Sequence, residues 1–253
     1  MKSGVRSKDE KEAMEQHLDI DLERIEEIVQ KAKDQGSSQL LESEARKILD
    51  SAGISMAEGK VVRSLEGCLE AAEEIGYPIV LKIVSEDIVH KMDIGGIALD
   101  LTDSGEVEDA YQAVQSRVKD RKPDANIKGV SVAEMIESGE EVVVGGMIDP
   151  TFGPVVMFGL GGIYVEIFED VEFRIAPISL DESHRMITEI DSFPLLTGAR
   201  GQKCKDLDAL AEMISRVGAL IYNIEDITDI DLNPVAALED GPKALDVSIT
   251  LKK

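Results

Sequence analysis

An α+β or mixed α/β chain in two lobes is the fold class this sequence predicts, on three observations. Amphipathic helical patterns come before any strand. From Ile79 onward, short strands and helices alternate with glycines at most of the joints. The C-terminus, DITDIDLNPVAALEDGPKALDVSITL, reads as a β-hairpin. With 253 residues, 43% of them hydrophobic, the chain has the means to bury one large core or two small ones.

The elements follow in order. Residues 1–17 are polar and charged without an apolar period, so they are expected to form a flexible tail. Leu18, Leu22, Ile25, Ile28, Val29 and Ala32 then share one helical face. DQGSSQ breaks that pattern, and Leu41, Ala45, Ile48, Leu49 and Ala52 make a second face that stops at Gly53. A third helix runs through Leu65, Leu69, Ala72 and Ile75 to Gly76-Tyr77-Pro78. The strand Ile79 to Val84 follows, apolar except for Lys82. IGGIALDL, IKGVSVAEM, EEVVVGGMI, VVMFGLGG and VEFRIAP read as strands. Val107 to Val118, Leu180 to Ile190 and the span Leu207 to Ile221 read as helices. The lobe boundary is placed near residue 130, giving a part over 18–130 and a part over 131–253.

Composition excludes several classes of partner. Fifty-one acidic against 27 basic residues give a formal charge of -24, a field that repels nucleic-acid and anionic membrane surfaces. The weakly charged stretch Val142 to Val165 is interrupted by Asp149, Pro150 and Pro154, as successive buried strands are and a membrane span is not. The N-terminus lacks the apolar core of a secretory signal, which predicts a cytoplasmic protein. Cys68 and Cys204 have no zinc or redox spacing and are expected to be free buried thiols.

Three constellations bear chemistry. Lys82 lies in an apolar strand and is followed by SEDIVHKMDIGGI. Such an ammonium either reaches an anionic partner, a phosphate for instance, or snorkels to the surface. Gly95 and Gly96 either let backbone N–H groups approach phosphate or form an ordinary turn, and His90 stands in the same loop. No G-x-x-x-x-G-K-[ST] occurs, so a P-loop is excluded. Gly159-Leu-Gly161 imitates a dinucleotide-binding turn, but Tyr164 occupies its third small position, which favours tight packing of glycine-lined strands. In ITDIDLNP, strand alternation puts Asp229, Asp231 and Asn233 on one face, and ALDVSITL buries Leu245, Val247 and Ile249 and turns Asp246 the other way, within a residue or two of being opposite Asn233 depending on register. These are hard oxygen donors of the kind Mg²⁺ takes when it keeps waters and nucleotide phosphates, or else a solvated acidic face.

Together YPIVLKIVSEDIVHKMDIGGIALDL, EMIESGEEVVVGGMIDPTFGPVVMFGLGGIYVEIFEDVEFRIAP, LLTGARG and DIDLNPVAALEDGPKALDVSI, in that order, resemble the β part of ADP-forming acetyl-CoA synthetases, relatives of succinyl-CoA synthetase. The resemblance implies an ATP-grasp fold whose two lobes clasp Mg–ATP or Mg–ADP. By the same resemblance Lys82 contacts nucleotide phosphates, Gly95 and Gly96 form the phosphate loop, Glu134 and Met135 are the hinge against adenine, and Glu141 holds ribose. Asn233 and Asp246, with Asp231 as a third, are the Mg²⁺ ligands. His90 accepts the phosphoryl group, and Arg174 and Arg200 steady it. Met92 replaces the serine of the family's HKSD, and Glu86 replaces a proline.

The implied reaction is acyl-CoA plus ADP plus phosphate giving acid, CoA and ATP. This chain would perform the transfer between phosphohistidine and ADP. An α subunit with CoA-binding and phosphohistidine domains completes a hetero-oligomer. A stand-alone ATP-grasp carboxylate ligase and a non-catalytic nucleotide sensor are the other classes. Acyl-phosphate chemistry without a labelled histidine distinguishes the first, and activity surviving loss of Asn233 and Asp246 the second.

Overall fold

The computed structural model describes residues 18–85, 87–88, 91–136, 138–161, 170–198 and 203–252. The chain forms two compact units. One comprises Leu41–Ser43 and Ala57–Glu137. The other takes the chain up to Leu40, Glu44–Met56 and everything from Ser138 on. The helices α1 (Leu22–Asp34) and α2 (Glu42–Ser51) therefore do not group as the boundary near residue 130 anticipates. Their apolar faces, Ile25, Val29, Ile48 and Leu49, enter one core with Val142, Phe158, Ile214 and Ile230. An amphipathic stripe must be covered, but its period does not say by which part of the chain.

The smaller unit contains β1 (Gly59–Val62), α3 (Leu65–Ile75), β2 (Ile79–Val84), β3 (Ile97–Leu101), α4 (Ser104–Arg121) and β4 (Gly129–Glu134). Its sheet has the order β1-β4-β2-β3 with antiparallel pairs throughout. All six residues of β2 are buried, as befits an interior strand. Ile79, Leu81 and Ile83 pack on Cys68, Ala71 and Ala72 of α3 and on Val107, Val114 and Val118 of α4. Ser64 caps α3 by accepting from Gly67 N–H at 3.1 Å. Asp103 caps α4 by accepting from Glu106 N–H at 2.9 Å, while Glu106 accepts in return from Thr102 N–H at 2.7 Å. Burial pushes the Cys68 thiol up to about 11, so it behaves as a small apolar core residue. Cys204, in contrast to the sequence expectation, is exposed.

The larger unit adds β5 (Glu140–Asp149), β6 (Gly153–Leu160), β7 (Val171–Ile175), α5 (Leu180–Glu189), α6 (Phe193–Leu196), α7 (Leu207–Asn223), β8 (Ile227–Ala237), β9 (Lys243–Ala244) and β10 (Ser248–Leu251). The sheet order is β10-β8-β5-β6-β7, with β9 beside β8, and the pairs are antiparallel. Strand alternation sends Val142, Val144, Val156, Phe158, Ile230 and Leu232 into the core shared with α7. Gly146 lets α7 approach, because a Cβ there would lie 3.2 Å from Ile221 and Val217. Leu210, Ile214, Val217, Leu220 and Ile221 of α7 are all buried, each contributing about 1.5–3 kcal/mol. A buried Ser183–Ser215 hydroxyl pair, 2.8 Å apart, ties α7 to α5. No helix among the described residues is long and apolar enough to cross a membrane.

Candidate functional site

In the smaller unit Lys82 occupies the interior strand β2 and is only 8% exposed. Register places Val61, Ser131, Lys82 and Ile97 in one row across the four strands, on the face away from α3 and α4. On that face the Ser131 hydroxyl donates to Glu42 Oε1 at 2.7 Å, and Glu42 and Ser131 are both buried. An ammonium and a carboxylate withdrawn from water each need compensation. The Glu42 carboxyl is thereby held by Ser131, the residue that stands opposite Lys82 on the neighbouring strand. Neither Glu42 nor Ser131 is conspicuous in the sequence. The two lie 89 residues apart, and only the fold joins them.

The glycine loop differs from its sequence expectation. Gly95 N–H donates to Met92 O at 3.0 Å and Gly96 N–H to Lys91 O at 2.8 Å. Both amides thus close the turn itself and are not presented to phosphate. Gly95 has φ +70°, and a Cβ on Gly96 would stand 2.9 Å from Ile83 and 3.0 Å from Lys91 O. The glycines are therefore required for the shape of the turn. Among the described residues no acceptor is found for the N–H groups of Met92, Asp93 and Ile94, the tip of that turn. Three successive amides at a turn form the kind of concavity that takes an anion. His90 and Arg200 lie outside the described residues, as do the expected tail over 1–17, Glu86 and Tyr164.

Glu134 and Met135 close β4. Glu134 N–H donates to Glu58 O and Glu58 N–H to Glu134 Oε1, both at 2.8 Å, and Met135 N–H donates to Pro78 O at 3.1 Å. The half-buried pair is thereby held by its own unit.

In the larger unit Glu141 is exposed near the start of β5, and its carbonyl accepts from Gly161 N–H at 2.7 Å. A Cβ on Gly161 would lie 2.8 Å from the Glu141 carbonyl carbon and 2.9 Å from Val142 N. One on Gly159 would lie 2.5 Å from Asp170 O. The Gly-Leu-Gly run thus serves close strand packing. Gly161→Ala is expected to destabilise the protein by about 1–3 kcal/mol, seen as an earlier midpoint in urea unfolding. An unchanged midpoint would show that this approach is not tight.

Asp231 and Asn233 lie on β8, on the face opposite the buried Ile230 and Leu232. The pairs Val235↔Ala244 and Asp231↔Ser248 share one register, so Asp246 arrives level with Asn233. Leu245 N–H donates to Pro234 O at 2.9 Å and Val247 N–H to Asp246 Oδ1 at 3.1 Å, which fixes the turn-side carboxylate. Asp229 shares the face of Asp231, and burial raises its carboxyl above the ordinary value. Among the described residues no three His, Cys, Asp or Glu side chains gather into a metal cage. The donor set, two carboxylates and an amide oxygen, suits Mg²⁺ that keeps waters and phosphates in its shell.

Arg174 does not join them. It pairs with Val156 on the helix-packed face of the sheet and is bound by Glu172 and Glu182 at 2.9 Å each and by Glu189. Burial lowers its pKa, but the three carboxylates outweigh that and hold it above the ordinary guanidinium value. Its charge is spent in fastening β7 to α5. The role of steadying phosphate, drawn from the sequence, has no support in this placement.

The model of the ATP-grasp domain matches residues 31–251. Acetate--CoA ligase [ADP-forming] I subunit beta of Pyrococcus furiosus is 44% identical over 228 residues, covering 90% of this chain and 98% of that protein. Acetate--CoA ligase [ADP-forming] I of Archaeoglobus fulgidus is 40% identical over 243 residues, 95% of this chain but 35% of that protein. Among solved structures, acetyl-coenzyme A synthetase 1 of Ca. Korarchaeum cryptofilum, described as dinucleotide forming and bound to coenzyme A and Ca-AMPCP, superposes with a TM-score of 0.87. It is 42% identical and covers 89% of this chain and 99% of that one. A second form of that synthetase holds coenzyme A and Mg-AMPPCP, with a phosphohistidine segment pointing towards the nucleotide binding site. It gives a TM-score of 0.78 at 38% identity, over 90% of this chain and 100% of that one.

Proposed function

The chain belongs to the ATP-grasp family, among the β subunits of ADP-forming acetate–CoA ligases, and from that premise we propose that it is the nucleotide-binding subunit of an ADP-forming acyl-CoA synthetase. The overall reaction is acyl-CoA plus ADP plus phosphate giving acid, CoA and ATP. This chain's share is the movement of a phosphoryl group between a histidine and ADP. The observation that carries the reading is the hairpin register that brings Asp246 level with Asn233 beside Asp231, in a chain aligned nearly end to end with a separate β subunit.

Phosphoryl transfer asks mainly for positioning and neutralisation of charge. Lys82 meets the nucleotide phosphates, and its burial strengthens its field because little water screens it. Glu134 and Met135 lie against adenine, and Glu141 holds ribose hydroxyls. Asp231, Asn233 and Asp246 hold Mg²⁺, which when bound neutralises phosphate charge. His90 takes the phosphoryl group as a nucleophile, as an imidazole does in its neutral form, and passes it on; Arg200 steadies it.

Acyl-CoA chemistry belongs to a partner α subunit with CoA-binding and phosphohistidine domains. This reading is supported by the Archaeoglobus relative, in which the stretch matching this chain is about a third of one longer polypeptide. The complex works in the cytoplasm, where ADP is plentiful.

The test is calorimetric titration of the purified chain with Mg–ADP, followed by an assay of the complex that co-purifies from its source. The chain alone is expected to bind Mg–ADP and to turn over no acyl-CoA. Robust thioester synthesis by the chain alone would refute the division of labour. His90→Ala is expected to keep Mg–ADP affinity within about twofold and to lose phosphoryl acceptance from the phosphorylated partner by about 10³-fold or more. Undiminished labelling of that variant would remove His90 from the reaction.

A further inference from the structure

The turn over residues 91–96 is held from outside by α4. The Arg121 guanidinium donates from Nη1 to Asp93 O at 2.6 Å. One helical turn earlier, Arg117 donates from Nε to Ala113 O at 3.1 Å, and its Cδ lies 3.2 Å from where a Cβ on Gly95 would stand. Basic residues in the last turn of a helix usually answer that helix's own terminal carbonyls and dipole. Arg121 instead reaches a carbonyl 28 residues earlier in the chain, at the tip of the turn.

That contact has a directional consequence. In a planar trans peptide the carbonyl oxygen and the next N–H point to opposite sides. Fixing Asp93 O against Arg121 therefore fixes the Ile94 N–H away from α4. The guanidinium also offsets the partial negative charge of that carbonyl, which would otherwise face an incoming anion. The Gly95 and Gly96 amides are consumed inside the turn, whereas for the tip amides no acceptor is found among the described residues.

We propose that Arg121 is a positioning residue for the nucleotide phosphates, acting through the Asp93–Ile94 peptide, and that the backbone donor of this loop is Ile94 N–H. The inference rests on the nucleotide-binding function above and adds to it a residue outside the motifs.

The experiment compares the wild-type complex, Arg121→Ala and Arg121→Lys, reading KM for ADP, kcat and the thermal unfolding midpoint. Arg121→Ala is expected to raise KM about tenfold, with kcat within about twofold and the midpoint within about 2 °C of wild type. Arg121→Lys keeps a cationic donor and is expected to recover to within about threefold of the wild-type KM. An unchanged KM in Arg121→Ala overturns the proposal. A joint fall of kcat and midpoint that lysine does not repair also overturns it, by making the arginine merely structural. A wild-type complex that does not use ADP overturns the nucleotide function itself, a result separable from either.

Discussion

Lys82→Met is expected to slow ATP formation by the complete enzyme by about 10²–10³-fold, because it removes a fixed cation from a place where little water can substitute for it. Methionine fills much of the same space, so the sheet should survive. Two features make the size of the effect plausible. The side chain lies on an interior strand, is buried, and stands in a row with the buried Ser131. The Glu42 carboxylate, anchored by Ser131, helps to define its surroundings. Steady-state rates together with circular dichroism decide the matter. A folded Lys82→Met enzyme working within about threefold of wild type would show that the phosphates meet some other cation.

Arg174→Met is expected to act on stability and leave chemistry alone. Removing the guanidinium abandons three carboxylates, Glu172, Glu182 and Glu189, around a side chain that is 23% exposed. Breaking a fully buried cluster costs about 3–5 kcal/mol. Partial solvation here reduces that to about 2–3 kcal/mol, or a thermal midpoint about 5–10 °C lower. kcat at a temperature well below the transition should stay within about twofold. A large loss of kcat at an unchanged midpoint would return Arg174 to the reacting groups.

The strands and helices were legible where one period ran long enough. β2 begins and ends where its apolar run does, and α7 spans its repeated apolar stripe. β1 escaped notice because it is a four-residue strand without a buried face, and α6 because it is a single turn. The metal-side hairpin was nearly readable in full, since alternation fixes the face and a turn at Asp240-Gly241 nearly fixes the register. What stayed hidden depends on partners distant in sequence or on the use of particular amides. Arg174 meets two of its carboxylates 8 and 15 residues downstream, on a helix whose orientation no motif reveals. The glycine pair signals a turn, but the spacing does not disclose that both N–H groups are spent closing it. Arg121 belongs to no motif and gains its meaning from a single carbonyl.

The division of the chain also orders its birth. The four-stranded unit is essentially complete by Glu137, so it can fold while the ribosome is still at work. The apolar sides of α1 and α2, made earlier, have no such opportunity, because Val142, Ile214 and Ile230, which cover them, come later. At ordinary elongation speeds the rest of the polypeptide takes on the order of ten seconds to emerge. Through that interval the apolar faces of α1 and α2 wait for the strands and the helix that cover them.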